Sequence, residues 1–189
     1  MTRPLLENFR LRLAVRWIDA GGTIAYPTEA VFGLGCDPAD PLAVSRLLAI
    51  KRRSPDKGLI LVAADWSQLR PWVAALSGNM EQRLRRSWPG PVTWLVPAAK
   101  NCPYWLTGAH TSLAVRVSAH PVVNALCRAW GGALVSTSAN RDSQRPARSV
   151  LEVQLRFATS IDYILPGPLG GRRRPTTIRD LQTDRVVRP

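Results

Sequence analysis

Lys51-Arg52-Arg53-Ser54-Pro55-Asp56-Lys57-Gly58 places four cations within seven residues, opposed only by Asp56. Ser54-Pro55 stops a helix that reaches Arg53, because proline disfavours helical geometry in the residue before it. The apolar run Leu59-Ile60-Leu61-Val62 reads as a buried strand. The cations are therefore expected on a turn between a helix end and a central strand, and in an open α/β sheet such turns line ligand crevices. Lys51 and Arg53, two apart, would point the same way on an extended segment. Such a pair suits a polyphosphate, which arginine grips as a fork and lysine meets as a point charge. The plainer reading of the same run is a solvated helix end whose cations complement the helix dipole.

Two further groups could share a ligand. Ser136, Ser138 and Asn140 stand at alternate positions beyond the apolar stretch Ala133-Leu134-Val135, so their side chains are expected on one side. Hydroxyls and a carboxamide bond phosphate or carboxylate oxygens without adding charge, although a single such serine more often bonds its own backbone. Ser112, Ala114 and Arg116 share one face of the alternating run Ser112–Val117. An arginine there must reach a partner or water: a carboxylate gripped by its fork, or solvent at a strand edge. Gly33 and Gly35 permit close backbone approach to a ligand. There is no GxxxxGK[ST], GxSxG or HExxH, and no suggestive carboxylate pair. Cations and hydroxyls without an evident nucleophile and base favour binding and electrostatic stabilisation of phosphate chemistry over covalent catalysis.

The elements that must position these residues follow from pattern and punctuation. Leu6, Phe9, Leu13 and Trp17 recur at helical spacing and Gly21-Gly22 closes the pattern, which predicts a helix over 5–20. A short strand at 23–26 ends at Pro27. Asp40-Pro41 starts a helix that runs to the basic turn. The strand at 59–63 follows, then a helix from Asp65 through Val73 that Pro71 could kink, a helix over 79–87, and a strand over 92–96. Residues 97–111 read as loop and 112–117 as a strand. A helix beginning at 118–121, a strand at 133–135, a basic loop at 141–149, a helix at 150–158 and a strand at 161–165 complete the pattern. Several connections are too short for parallel crossovers. The architecture expected is a single α/β domain over 1–189, a twisted sheet of mixed parallel and antiparallel strands with helices on its faces.

Composition narrows the partners. The 189 residues carry 26 Lys and Arg against 13 acids, a formal charge of +13, which calls for an anionic partner. No apolar run is long enough to span a bilayer, and the N-terminus lacks the apolar core of a secretory signal. Cys36, Cys102 and Cys127 form no CxxC, and His110 and His120 show no metal-ligand spacing. Reduced thiols in a cytoplasmic protein without a protein-held metal are expected.

Six separated motifs then carry a resemblance: Tyr26-Pro27-Thr28-Glu29 with Phe32-Gly33-Leu34-Gly35; Lys51-x-Arg53 with Lys57-Gly58-Leu59-Ile60; Trp88-Pro89-Gly90-Pro91-Val92-Thr93; Ser112-Leu113-Ala114-Val115-Arg116; Ser136-Thr137-Ser138-Ala139-Asn140; and Pro175-Thr176-Thr177-Ile178. In this order they resemble the threonylcarbamoyl-AMP synthase family, also called YrdC/Sua5, in its short single-domain bacterial form. The resemblance implies a YrdC-like fold with a concave basic cleft, and a reaction in which L-threonine, bicarbonate and ATP give L-threonylcarbamoyl-AMP, diphosphate and water. That is the first step of t6A modification at position 37 of tRNA, and the product would pass to threonylcarbamoyl-transfer proteins. By motif position Thr28, Arg116, Ser136 and Thr176 would hold threonine. Arg53, Lys57, Ser112, Ser138 and Arg188 would hold ATP, with Lys51 and Asn140 joining Arg53 and Ser138 as the catalytic quartet. Mg2+ would arrive on the nucleotide, and alanine at Lys51 or Arg53 would abolish turnover while leaving the fold intact. The chain departs from relatives at Ala30, Lys57, Val62, Ser118 and Thr176. The rival reading is a non-catalytic RNA-binding protein, using the arginines near 141–148 and 172–174 on a phosphate backbone; direct contact with tRNA is compatible with either.

Overall fold

The computed structural model describes residues 3–141, 144–172 and 174–189, with side chains described from residue 8 onward. Parts of three expectations lie outside these residues: the side chain of Leu6, positions 142 and 143 of the basic loop, and Arg173. The helices are α1 (Arg3–Asp19), α2 (Pro41–Lys51), α3 (Gly78–Ser87), α4 (Tyr104–Thr107), α5 (Pro121–Trp130) and α6 (Val150–Phe157). The strands are β1 (Ile24–Pro27), β2 (Phe32–Gly35), β3 (Ile60–Ala63), β4 (Val92–Pro97), β5 (Ser112–Val117), β6 (Leu134–Ser138), β7 (Tyr163–Ile164), β8 (Thr177–Asp180) and β9 (Val186–Arg188). They form one nine-stranded sheet in the order β7-β1-β2-β6-β3-β5-β4-β8-β9. Pairings β1–β7, β3–β5 and β4–β8 are parallel and the other five antiparallel, so the mixed sheet is as expected.

Strand alternation divides the core in two. Ala25, Leu61, Ala63, Val115 and Val135 point to one face, where α2, α3 and α6 supply Val44, Leu47, Leu84, Val153 and Phe157. Ile24, Tyr26, Val62 and Leu134 point to the other, where α1 and α5 supply Ala14, Ile18, Val123, Leu126 and Cys127. These two helices cover only part of that second face. Beyond them lie Ile60, Ser112, Ala114, Arg116 and Ser136, which have the same strand parity and line two hollows. That uncovered half is where the site forms.

Several elements differ from the sequence pattern. Among the described side chains of α1, Ala14 and Ile18 are buried, whereas Phe9 and Trp17 are 47% and 42% exposed. The bulkier stripe was the more visible one, but a close α1–α5 approach needs the smaller residues. The Gly21-Gly22 stop is as expected, with Gly21 at φ +74 and both amides bonded back to the last turn. α2 ends at Lys51, two residues before the expected limit, because Arg52 adopts a left-handed conformation (φ 52) and caps it. Residues 65–73 make two short 3-10 turns rather than a helix, since Pro71 cannot continue the ladder and Asp65 spends its carboxylate on Ser67 N. β2, α4, β8 and β9 were not predicted: each is three or four residues long, below the length at which periodicity speaks.

The three thiols differ in environment. Burial pushes Cys36 up and Cys127 up to about 12, while half-buried Cys102 rises less far. Brief maleimide treatment of the native protein at neutral pH should therefore label Cys102, with Cys36 and Cys127 reacting only after denaturation. Mass spectrometry of the labelled peptides checks this.

Candidate active site

Two hollows open side by side on the uncovered half of the sheet. Thr28, Arg116, Ser136, Ser138 and Thr176 line the first. Lys57, Ser112, Ala114, His110, Leu95 and Ile178 line the second. Arg53, Leu59, Ile60 and Arg188 belong to both, so the hollows meet at these two arginines. Register explains the row of side chains. Ile60 pairs with Ser136 on one side and Ala114 on the other, and Ala114 pairs with Leu95. All therefore point the same way across the sheet.

Each predicted residue can now be placed. Thr28, Arg116, Ser136 and Thr176 fall together in the first hollow, with Ser138. Lys57 and Ser112 fall in the second, and Arg53 and Arg188 at the junction. Lys51 and Asn140 line neither hollow. Lys51 does not lie alongside Arg53, because it is still helical: it is 4% exposed, and its Nζ donates to the carbonyls of Ser138 at 2.5 Å and Asn140 at 2.7 Å. Nor does Asn140 continue the row of Ser136 and Ser138. β6 ends at Ser138, and a turn redirects the carboxamide to donate to the carbonyls of Arg141 and Gln144 while Ser138 Oγ donates to Asn140 Oδ1 at 2.5 Å. The pair thus builds the shape of the loop that presents Ser138.

Three arginines converge on the first hollow. Arg53 is braced across its own turn by donating from Nη2 to Gly58 O at 3.1 Å. Arg188 Nη2 donates to Thr176 O at 3.0 Å. Loss of water, then repulsion from Arg116 and Arg53, holds the Arg188 guanidinium below the usual arginine range. Like charges in one hollow disfavour each other's charged form. Asp56, the acid within the cationic run, is turned away. Its carboxylate accepts from Tyr104 Oη at 2.6 Å and from Ser54 Oγ at 3.1 Å, and these bonds hold it below the ordinary carboxylate range.

Some residues in and behind the lining escaped sequence reasoning. Glu29 is 7% exposed, and its Oε2 lies 3.3 Å from Arg116 Nη2. The partner that Arg116 needed is thus in part the chain's own carboxylate. Thr93, fully buried on β4, sits 3.2 Å from the hydroxyl of Thr176. Both lay inside quoted motifs, but pattern alone gave them no role. Gly33 forms the wall between Thr28 and Ser136: a β-carbon there would stand 3.2 Å from Thr28 Cγ2 and 3.4 Å from Ser136 Oγ. Val62 is fully buried against the second core, so it contributes nothing to the lining.

The family model Sua5_yciO_yrdC, described as "Telomere recombination", matches residues 16–189. The chain belongs to this family. It is 55% identical over 191 residues to the threonylcarbamoyl-AMP synthase of Alkalilimnicola ehrlichii, covering 100% of both chains. It is 53% identical to the protein of the same name from Halorhodospira halophila, over 99% of this chain and 96% of that one. The crystal structure of P. abyssi Sua5 complexed with L-threonine superposes with a TM-score of 0.85 at 31% identity, over 91% of this chain and 51% of that one. The family chain described here thus spans about half of that longer protein.

Proposed function

We propose that the chain is an L-threonylcarbamoyladenylate synthase, joining L-threonine, bicarbonate and ATP to form L-threonylcarbamoyl-AMP, diphosphate and water. The observation that carries the reading is the meeting of Arg53 and Arg188 where two hollows join, with Arg116 beside them in the first. The first hollow takes the amino acid. Arg116 meets its carboxylate, and the hydroxyls of Thr28, Ser136 and Thr176 surround the rest. The second takes the nucleoside part of ATP. It is lined by Leu95, Leu106, Ala114, Ile178 and Val187, with Lys57, Ser112 and His110 at polar points. The triphosphate then lies at the junction, under Arg53 and Arg188.

The chemistry follows from that placement. The threonine amine adds to the carbon of bicarbonate or its carbon dioxide, water leaves, and a carbamate forms. A carbamate oxygen attacks the α-phosphorus and diphosphate departs. Two anions must approach each other, and fixed cations offset the repulsion without reorganising. Holding both partners supplies most of the remaining acceleration. No group of three or more His, Cys, Asp and Glu among the described residues is placed to hold a metal ion. Mg2+ is therefore proposed to ride on the phosphates, neutralising charge there.

The product would feed tRNA t6A modification through separate transfer proteins, in the cytoplasm where ATP and tRNA meet. No described helix is long and apolar enough to cross a membrane. Direct tRNA contact is proposed over Arg141, Arg145 and Arg156, which surround a separate hollow beside α6. Pyrophosphate release from ATP, Mg2+ and bicarbonate, with and without L-threonine, tests the main reading. Threonine-dependent release is expected. Threonine-independent release would mark a hydrolase, and none at all alongside tight RNA binding would favour the RNA-binding alternative.

A further inference from the structure

Glu29 is held more firmly than a lining residue needs to be. Ser118 Oγ donates to its Oε1 at 2.7 Å and accepts from His120 N at 3.1 Å. A hydroxyl has one proton, so this arrangement commits it to the carboxylate. The backbone is fixed as well. Arg172 N donates to Glu29 O at 2.9 Å, and Gly170 packs so closely that a β-carbon there would stand 2.9 Å from Glu29 Cα. The segment at 118–120 thus holds the carboxylate of Glu29, and the segment at 170–172 holds its backbone.

What it holds is Arg116, which is 6% exposed. A guanidinium carries five N–H donors in a rigid plane. Glu29 meets one edge of that plane through a single 3.3 Å contact, not the paired bonds of a full fork. Arg116 Nε and Glu29 Oε2 are both buried without a hydrogen-bond partner. A buried pair so incompletely satisfied is a poor way to gain stability. As a bearing it makes sense: the plane is fixed, and the rest of the fork is left for the hollow. The carboxylate also offsets one of the two positive charges that crowd Arg188.

We propose that Glu29 is a positioning residue, turning the guanidinium of Arg116 so that its remaining N–H edge meets the carboxylate of the amino-acid substrate. It acts through Arg116 and so sets affinity for the amino acid and not for the nucleotide. The proposal rests on the assignment of the first hollow to the amino acid.

Kinetics on the full chain separate the possibilities. Glu29→Gln keeps the side-chain shape and removes the charge that orients Arg116. It should raise the KM for L-threonine about tenfold or more, with kcat at saturating threonine within about threefold and the KM for ATP within about twofold of wild type. The rise in melting temperature given by L-threonine alone should shrink in parallel. Ser118→Ala, which frees the carboxylate without unpairing Arg116, should move threonine KM the same way by about threefold. A Glu29→Gln protein with wild-type threonine KM overturns the proposal, as does an equal rise in both KM values. Should Glu29→Gln fail to fold, an unchanged threonine KM in Ser118→Ala overturns it. If the wild type itself shows neither threonine-dependent pyrophosphate release nor a thermal response to threonine, the reading of the hollow fails and takes the proposal with it.

Discussion

Replacing Arg53 with alanine should lower threonine-dependent pyrophosphate release about 100- to 1,000-fold, the range seen when one preorganised donor to a developing charge is lost. Arg53 is one of two charged side chains that line both hollows. Its guanidinium is already braced on Gly58 O, so it gains no freedom that must be given up when the triphosphate arrives. The fold should tolerate the change. Arg53 is half-exposed, and its backbone N still bonds Leu48 O. Its removal also relieves repulsion on Arg188. The melting temperature should stay within a few degrees of wild type. Arg53→Lys should recover only part of the loss, since a point charge replaces a fork. Steady-state kinetics with ATP varied, beside a thermal melt, would check this. An alanine variant within threefold of wild type would remove Arg53 from the reaction.

The basic turn shows how far sequence reaches. A helix end followed by proline and an apolar strand put the cations at a sheet crevice, and Arg53 and Lys57 line one. What the spacing of Lys51 and Arg53 could not reveal is the left-handed Arg52 between them. One residue in that conformation sends the two side chains to different tasks, Arg53 to the hollows and Lys51 beneath the Ser138 loop. The row Ser136, Ser138, Asn140 was likewise legible only as far as the strand lasts. Its period of two stops where β6 stops, and Asn140 answers to a turn.

Other losses have a common physical cause. α4 is four residues long, and its place is fixed from outside: Leu59 N bonds Leu106 O, and Gly108 lies against Asp56 O. β8 and β9 are short pieces at the end of the chain, ordered by β4 and by each other. Yet they deliver Thr176 and Arg188 to the site. Contacts between distant segments decide such elements, and no local window contains them. The same holds for Glu29, whose meaning lies in Arg116, far along the chain but in contact across the fold.

Lys51→Met should fail in a different way from Arg53→Ala. Methionine keeps the length and apolar stem of lysine and removes only the ammonium. In the native protein that ammonium donates to the carbonyls of Ser138 and Asn140, and Lys51 is 4% exposed. Leaving two part-buried carbonyls without this donor costs about 2–4 kcal/mol. For a chain of this size that lowers the melting temperature by about 5–15 °C. The expectation from motif alone, an inactive protein with an undisturbed fold, is therefore revised. Activity should fall about 100-fold even well below the new melting point, because a loop displaced by a fraction of an ångström misplaces the Ser138 hydroxyl. Asn140→Ala should resemble it in a milder form, since its carboxamide holds the same loop to Arg141 and Gln144. Thermal melts and pyrophosphate kinetics on the two variants decide the matter. An inactive Lys51→Met with wild-type thermal stability would sink the account of Lys51 as a pin and return it to direct contact with phosphate. Loss of stability together with activity means that the lysine serves the reaction by fixing the backbone from which a serine reaches the ligand.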